Sequence, residues 1–192
     1  MAAREEPAIR AAMSQLIWKR MQRRAPAELE AVSRRMAPGS SAAIMQPLSI
    51  GWVGMQPHMD MCEAIERVLG ADRYTELWRS MINELGASRL LRGFFNISAR
   101  SGIRGVIRRG DVAYASQTRG LGSLRCLEAE DDHAVLRLEH FPARSVPFSN
   151  YTHGLRGTLL ACIDVCGGTR AVVEPGPPNP EEGSCRYELR WG

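Results

Sequence analysis

The spacing of apolar residues changes at Gly120, and that change restricts the chain to a fold with a helical part followed by a sheet-forming part. Before Gly120 the apolar positions recur at helical intervals. Residues 5 to 36 read as helical, with Ile9, Ala12, Met13, Leu16, Ile17 and Met21 on one face and Arg, Lys and Gln opposite; Pro26 is placed to begin a second helix. Pro38-Gly39-Ser40-Ser41 breaks the pattern, and Ala42 to Val53, interrupted by Pro47, reads as a short strand or buried loop. From His58, the stripe Met59, Cys62, Ile65, Val68 and Leu69 predicts a helix stopped by Gly70. Asp72 is placed to cap the next helix, which turns Tyr74, Leu77, Trp78, Met81, Ile82 and Leu85 inward and stops at Gly86. Ser88 begins a third, with Leu90, Leu91, Phe94 and Phe95 buried, and Ile103 to Ser116 forms a weaker amphipathic stretch.

After Gly120 the residues alternate. Leu121 to Leu127 and Ala134 to Phe141 form a hairpin around the acidic turn Glu130-Asp131-Asp132-His133. Tyr151 to Val165 returns to helical spacing, ended by Gly167-Gly168. Thr169 to Val173 and Ser184 to Trp191 pair as strands across a proline-rich loop. The expected fold is therefore α/β of the α+β kind: a helical layer packed on a small, mostly antiparallel sheet. Residues 1–40 are expected to form an N-terminal helical arm and residues 41–192 the α/β domain.

The chain has 192 residues, 44% hydrophobic and 24% charged, which excludes a disordered polymer and suffices for one real core. Its best apolar stretch, Ala42 to Met55, contains Gln46, Pro47 and two glycines, too broken for a membrane span. The start Met-Ala-Ala-Arg-Glu-Glu-Pro has no apolar core of a secretory signal, so the expected location is cytoplasmic. The formal charge is +4, but Lys19 is the only lysine, and an arginine bias follows from GC-rich coding as readily as from phosphate binding. Five cysteines without a C-x-x-C pair argue against a disulfide framework.

Two stretches carry a resemblance. They are Tyr151-x-x-Gly154-x-x-Gly157-x-Leu159 on the helix ending at Gly167-Gly168, and the closing Cys185-x-Tyr187-x-Leu189-Arg190-Trp191. With the element order, they make residues 55 to 191 resemble the heme-NO-binding / 4-vinyl-reductase (V4R) superfamily. The chain is similar, more narrowly, to a paralogous family of about this length best represented in myxobacteria. The resemblance implies a ligand pocket between helical layer and sheet, a role as sensor or interaction module, and the dimers common in V4R-type domains. Its heme-binding branch is marked by a proximal histidine on a helix and a Tyr-x-Ser-x-Arg motif leading into the last helix. Here the comparable stretch, Phe148-Ser149-Asn150-Tyr151-Thr152-His153, lacks that triplet, and the zinc-binding cysteine pattern of some V4R domains is not evident.

A pocket in such a fold is expected near Trp78, Phe94, Tyr114, His140, Phe148 and Tyr151, because apolar-ligand sites combine aromatic walls with a few polar tips. The competing reading is that these side chains fill the core. Cys162 and Cys166 share a helix face, with His153 about two and a half turns earlier, and a closed metal site would need two more ligands, for which Cys126, His140 and Cys185 are candidates; buried thiols facing the sheet are the preferred reading, with no metal assigned. His140 reads as a core or pocket residue, His133 as exposed in the acidic turn, and His58 as a helix-start residue. There is no Gly-x-Ser-x-Gly elbow and no phosphate loop, and the carboxylates of the turn are of the solvated kind, so no catalytic residue is assigned. No cofactor is named.

These features point to a non-enzymatic small-molecule sensor or regulatory interaction domain that binds a small apolar ligand and signals through its N-terminal helix to a protein partner or a second subunit. The alternatives are a structural or scaffolding protein acting through the N-terminal helix and oligomerisation, and nucleic-acid binding through arginine clusters. Those clusters are Lys19-Arg20-Arg23-Arg24, Arg34-Arg35 and Arg100-Arg104-Arg108-Arg109; solvated helix faces are the preferred reading of them.

Overall fold

The computed structural model describes residues 6–87, 102–142 and 148–192, so the helix expected from Ser88 and its Phe94 lie outside the described residues. In chain order the elements are β1 (Ala8–Arg10), α1 (Ala11–Arg24), α2 (Pro26–Ser33), α3 (Ser40–Met45), β2 (Trp52–Gly54), α4 (Met55–Leu69) and α5 (Ala71–Ala87). Then come α6 (Gly102–Arg108), α7 (Gly110–Gln117), β3 (Thr118–Arg119), β4 (Ser123–Ala129), β5 (His133–Glu139), α8 (Phe148–Val165), β6 (Val172–Pro175) and β7 (Cys185–Arg190). Two small antiparallel sheets result, in the orders β2-β1-β3 and β4-β5-β7-β6. The α+β architecture expected from the change of period is the one observed. Among the described residues no helix is long and apolar enough to cross a membrane.

Local chemistry accounts for most boundaries. Pro26 stands at the first turn of α2, where its missing N–H costs nothing. Gly70, at φ 81°, ends α4 in a conformation that side chains resist, and α5 begins immediately after it. Asp72 therefore lies inside the first turn of α5, where its charge meets the positive end of the helix, and is not the flanking cap. The hairpin pairs Leu124 with Leu138 and Cys126 with Leu136, with a bulge between Cys126 and Glu128. In β7 the alternation is strict: Cys185, Tyr187 and Leu189 are buried while Arg186 and Arg190 face outward.

Two stretches depart from the reading of the sequence. The stretch Ala42 to Val53, expected as a short strand or buried loop, enters the strand β2 only at Trp52, and its first residues belong to α3, whose end is held from another element: the buried Gln15 amide donates to the carbonyls of Ile44 (3.2 Å) and Pro47 (2.7 Å). The N-terminal stretch is built into the body and does not project as an arm. β1 is the central strand of the first sheet, with Ile9 opposite both Val53 and Thr118, and α1 buries Met13, Ile17, Trp18 and Met21.

The buried side chains form two clusters. One lies between α8 and the four-stranded sheet, around Leu124, Leu136, Leu138, Leu159, Ile163, Tyr187 and Trp191. The other joins α1, α4 and α5 around Ile17, Met21, Met61, Ile65, Tyr74 and Met81. Helices α5 and α8 cross between them, and the glycines of the Tyr-x-x-Gly-x-x-Gly motif make the approach possible. A Cβ on Gly157 would lie 2.3 Å from the Thr75 carbonyl oxygen and 2.7 Å from Trp78 Cβ. Arg79 fastens the crossing with two bonds to Asp164, at 2.6 and 2.8 Å, and Asn83 adds a third at 3.1 Å.

Candidate functional site

A cavity of about 330 Å³ opens where the two clusters meet. Its walls come from β1 and α1 (Ile9, Met13), α4 (His58, Met59), α5 (Tyr74, Trp78, Ile82), α6 and α7 (Ile107, Tyr114), the sheet (Leu124, Leu136) and α8 (Tyr151, Leu159, Cys162). The void exists because several lining positions carry little or no side chain: Gly110, Ala113 and Gly154. For scale, an apolar cavity of about 150 Å³ accommodates a benzene molecule.

The polar groups on this wall are mostly engaged with one another. Tyr151 donates to the Tyr114 hydroxyl at 2.7 Å, and Tyr114 donates to the Leu121 carbonyl at 2.9 Å. Burial raises the pKa of both tyrosines above the usual phenol value, so both remain neutral hydroxyls. His58 is 2% exposed, with Nδ1 at 2.9 Å from Ser14 Oγ and Nε2 at 3.4 Å from Cys62 Sγ. Burial pushes the His58 pKa down to about 4 and those of the Cys62 and Cys162 thiols up to about 12. The Cys62–His58 pair is thus a neutral thiol beside a neutral imidazole, the reverse of an activated nucleophile.

Of the residues expected around a pocket, Trp78, Tyr114 and Tyr151 are brought together here. Phe148 opens α8, its side chain lying outside those described, as does Phe94 altogether. His140 is a correction: it is exposed and borders no part of the cavity. Leu136 and Leu138 face inward, and strict alternation would turn residue 140 inward too. The left-handed backbone at His140 (φ 58°) breaks the alternation, so Phe141 is buried instead and packs on Tyr151 with ring centroids 4.4 Å apart. Cys162 borders the cavity; Cys126 and Cys185 instead meet the carbonyls of Glu128 and Gly176. Nδ1 of His153 lies 2.8 Å from a Glu66 oxygen, tying α8 to α4. Among the described residues no three His, Cys, Asp or Glu side chains gather as a metal site. Sequence reasoning missed His58 as a cavity residue, although its spacing from Cys62 set it on the apolar stripe of α4, and it missed Ile9 and Met13 because they were assigned to an arm.

No family model matches the chain, and no curated protein matches it. Solved structures do. An Fe(II) unliganded H-NOX protein from K. algicida superposes with a TM-score of 0.63 at 6% identity, over 96% of this chain and 97% of that one. A point mutant of the T. Tengcongensis H-NOX gives 0.60 at 9% identity, over 93% of this chain and 94% of that one. An oxygen-binding H-NOX domain related to soluble guanylate cyclases, in its oxygen complex, gives 0.56 at 10%, over 95% of each. At these identities the likeness establishes a shared fold: the chain is built like H-NOX domains, over nearly its full length.

Proposed function

We propose that this chain is a small-molecule sensing or regulatory domain whose cavity takes up one neutral, largely apolar molecule, and that it does so without heme. The observation that carries the reading is the cavity itself: about 330 Å³, aromatic and aliphatic, at the junction of the two core clusters. An occupant there touches α4, α5, α7, α8 and the sheet at once, so its binding biases how the helices sit against the sheet.

Heme requires an axial ligand for iron and, usually, cations for its two carboxylates. The described residues do not fit it. Of the four histidines in the chain, only His58 borders the cavity, and Ser14 and Cys62 lie against its two ring nitrogens. Among the described residues no arginine or lysine lines the cavity, and Cys162 and the tyrosines hold their protons. This donor set supports placing the chain on the heme-free side of the superfamily, with V4R-type domains and the myxobacterial paralogous family. A non-catalytic role, a cytoplasmic location and a protein partner or second subunit as receiver of the signal belong to the same proposal.

The two alternatives find less support. A scaffolding helix needs a free apolar face, and the face of α1 is used within the body. Nucleic-acid binding has no base-stacking groove beside the arginine clusters, among the described residues, to support it, and part of the clusters is paired with carboxylates: Arg20 and Arg24 reach Glu84, Arg34 Glu30 and Arg104 Asp131.

The test is native mass spectrometry of the protein from its own host, paired with a hemin titration of the purified chain. A retained small organic mass, together with no saturable one-to-one Soret shift, is the expected result. A stoichiometric heme complex abolished by His58→Ala overturns the heme-free reading. A chain that carries no extra mass and takes up no apolar probe overturns ligand binding.

A further inference from the structure

Three of the six exposed large apolar side chains among the described residues fall within six positions. Leu48 and Ile50 are each 77% exposed and Met45 39%, at the end of α3 and in the turn that leads from it to β2. No Asp, Glu, Lys or Arg occurs from Met36 to Met59, 24 positions of a chain that is 24% charged. Scattered apolar residues on a surface are ordinary, whereas a cluster on an uncharged stretch marks a contact surface.

The turn is held from within. Each of the five consecutive carbonyls from Pro47 to Gly51 accepts a bond from the protein. The donors, in that order, are Gln15 Nε2 (2.7 Å), the Gly51 N–H (2.7 Å), the Ala12 N–H (3.1 Å), Arg10 Nη1 (2.7 Å) and the Ala11 N–H (3.0 Å). Leu48 and Ile50 thus stand out from a backbone whose acceptors need no water, which lowers the cost of setting the turn against hydrocarbon.

Two cations flank it. Arg10, bonded to the Ile50 carbonyl, has its Cζ 4.0 Å from the centre of the Trp52 ring, and Arg119 lies 4.8 Å from the same ring. Among the described residues neither guanidinium meets a carboxylate; Arg10 donates to the carbonyls of Ile50 and Ser116. Strand alternation sets Arg10, Trp52 and Arg119 on the outer face of the first sheet, since Ile9 and Thr118 line the cavity on its inner face. Trp52 is also the one tryptophan of the four that is not buried. Projecting aliphatic tips with a tryptophan and unpaired arginines behind them match a bilayer, whose hydrocarbon lies just beneath a layer of phosphates.

We propose that this turn and the outer face of the first sheet form a peripheral docking site for an anionic lipid surface. Leu48 and Ile50 enter the acyl boundary, Trp52 lies at headgroup level, and Arg10 and Arg119 meet lipid phosphates. The docking does not depend on what the cavity holds.

Flotation of the full-length protein tests it, with vesicles of phosphatidylcholine alone and of phosphatidylcholine with phosphatidylglycerol at about two to one. Binding to the anionic vesicles is expected, weakened by salt and at least about tenfold weaker on phosphatidylcholine alone. Leu48→Ser combined with Ile50→Ser is expected to cut it at least about tenfold, because both side chains lose their burial. Arg119→Gln should cut it about fivefold on the anionic vesicles only. Val112→Ser, which removes a comparably exposed apolar side chain from α7, is expected to leave it unchanged. Lipids brominated near the top of the acyl chains should quench tryptophan emission, and Trp52→Phe should abolish that quenching. No binding to anionic vesicles, or binding that survives the double serine change, overturns the proposal. A dimer that the same double change dissociates, without vesicle binding, assigns the patch to a second copy of the chain and overturns it too.

Discussion

At the scale of single residues, the functional character of this molecule lies in groups that burial keeps neutral. His58 is the clearest case. Its pKa falls from an ordinary value near 6.5 to about 4 because charging it inside α1, α4 and α5 is unfavourable. Between those values the unfolded chain binds a proton that the folded chain does not, so stability decreases as pH drops through that window. We expect the free energy of unfolding to fall by about 2 kcal/mol between pH 7 and pH 5 on account of this residue. His58→Gln should remove that part of the loss, measured by urea unfolding at the two pH values. An equal loss in the variant would mean that other groups carry it. Trp78, Tyr114 and Tyr151 were legible beforehand because each sits on the inward stripe of a helix. His140 was not, because its left-handed backbone depends on how the chain leaves β5, which no spacing of residues encodes.

At the scale of elements, the crossing of α5 and α8 organises the site. Gly157 allows it, and the Arg79–Asp164–Asn83 cluster holds it, with the guanidinium keeping the Asp164 carboxyl below the usual carboxylate range. Alanine favours a helix over glycine by roughly 1 kcal/mol, so on an isolated helix Gly157→Ala would stabilise. Here the added methyl meets backbone of α5, which has no rotamer to yield, and the helices must separate. We expect a net destabilisation of about 1–3 kcal/mol and loss of apolar-probe uptake, read from thermal unfolding and probe titration. An unchanged or raised Tm would show that the two helices can part at no cost. Helix and strand types were legible because one-sided burial imposes periods of 3.6 and 2 on the sequence. The exception, α3, escaped because what holds its end is the Gln15 side chain, 29 positions before Ile44.

At the scale of the whole molecule, the two core clusters are joined by the cavity and by the N-terminal segment. β1 supplies the middle strand of the first sheet, and α1 fills the second cluster; each large apolar side chain so buried contributes roughly 1.5–3 kcal/mol. Removing residues 1–24 should therefore abolish cooperative unfolding, followed by near-ultraviolet circular dichroism on heating. A fragment that still melted sharply would establish an independent arm. The sequence by itself determined the α+β class, the hairpin and the closing strands, since a period is a local property that each element carries wherever it packs. It also suggested the glycine motif of α8 without its purpose. Only the tertiary structure decided that the first helix lies inside, that His140 faces out, that His58 is held between Ser14 and Cys62, and that a void remains among the aromatics. Those outcomes depend on which distant surfaces meet and how completely they fill the space between them, and residue spacing carries no record of either.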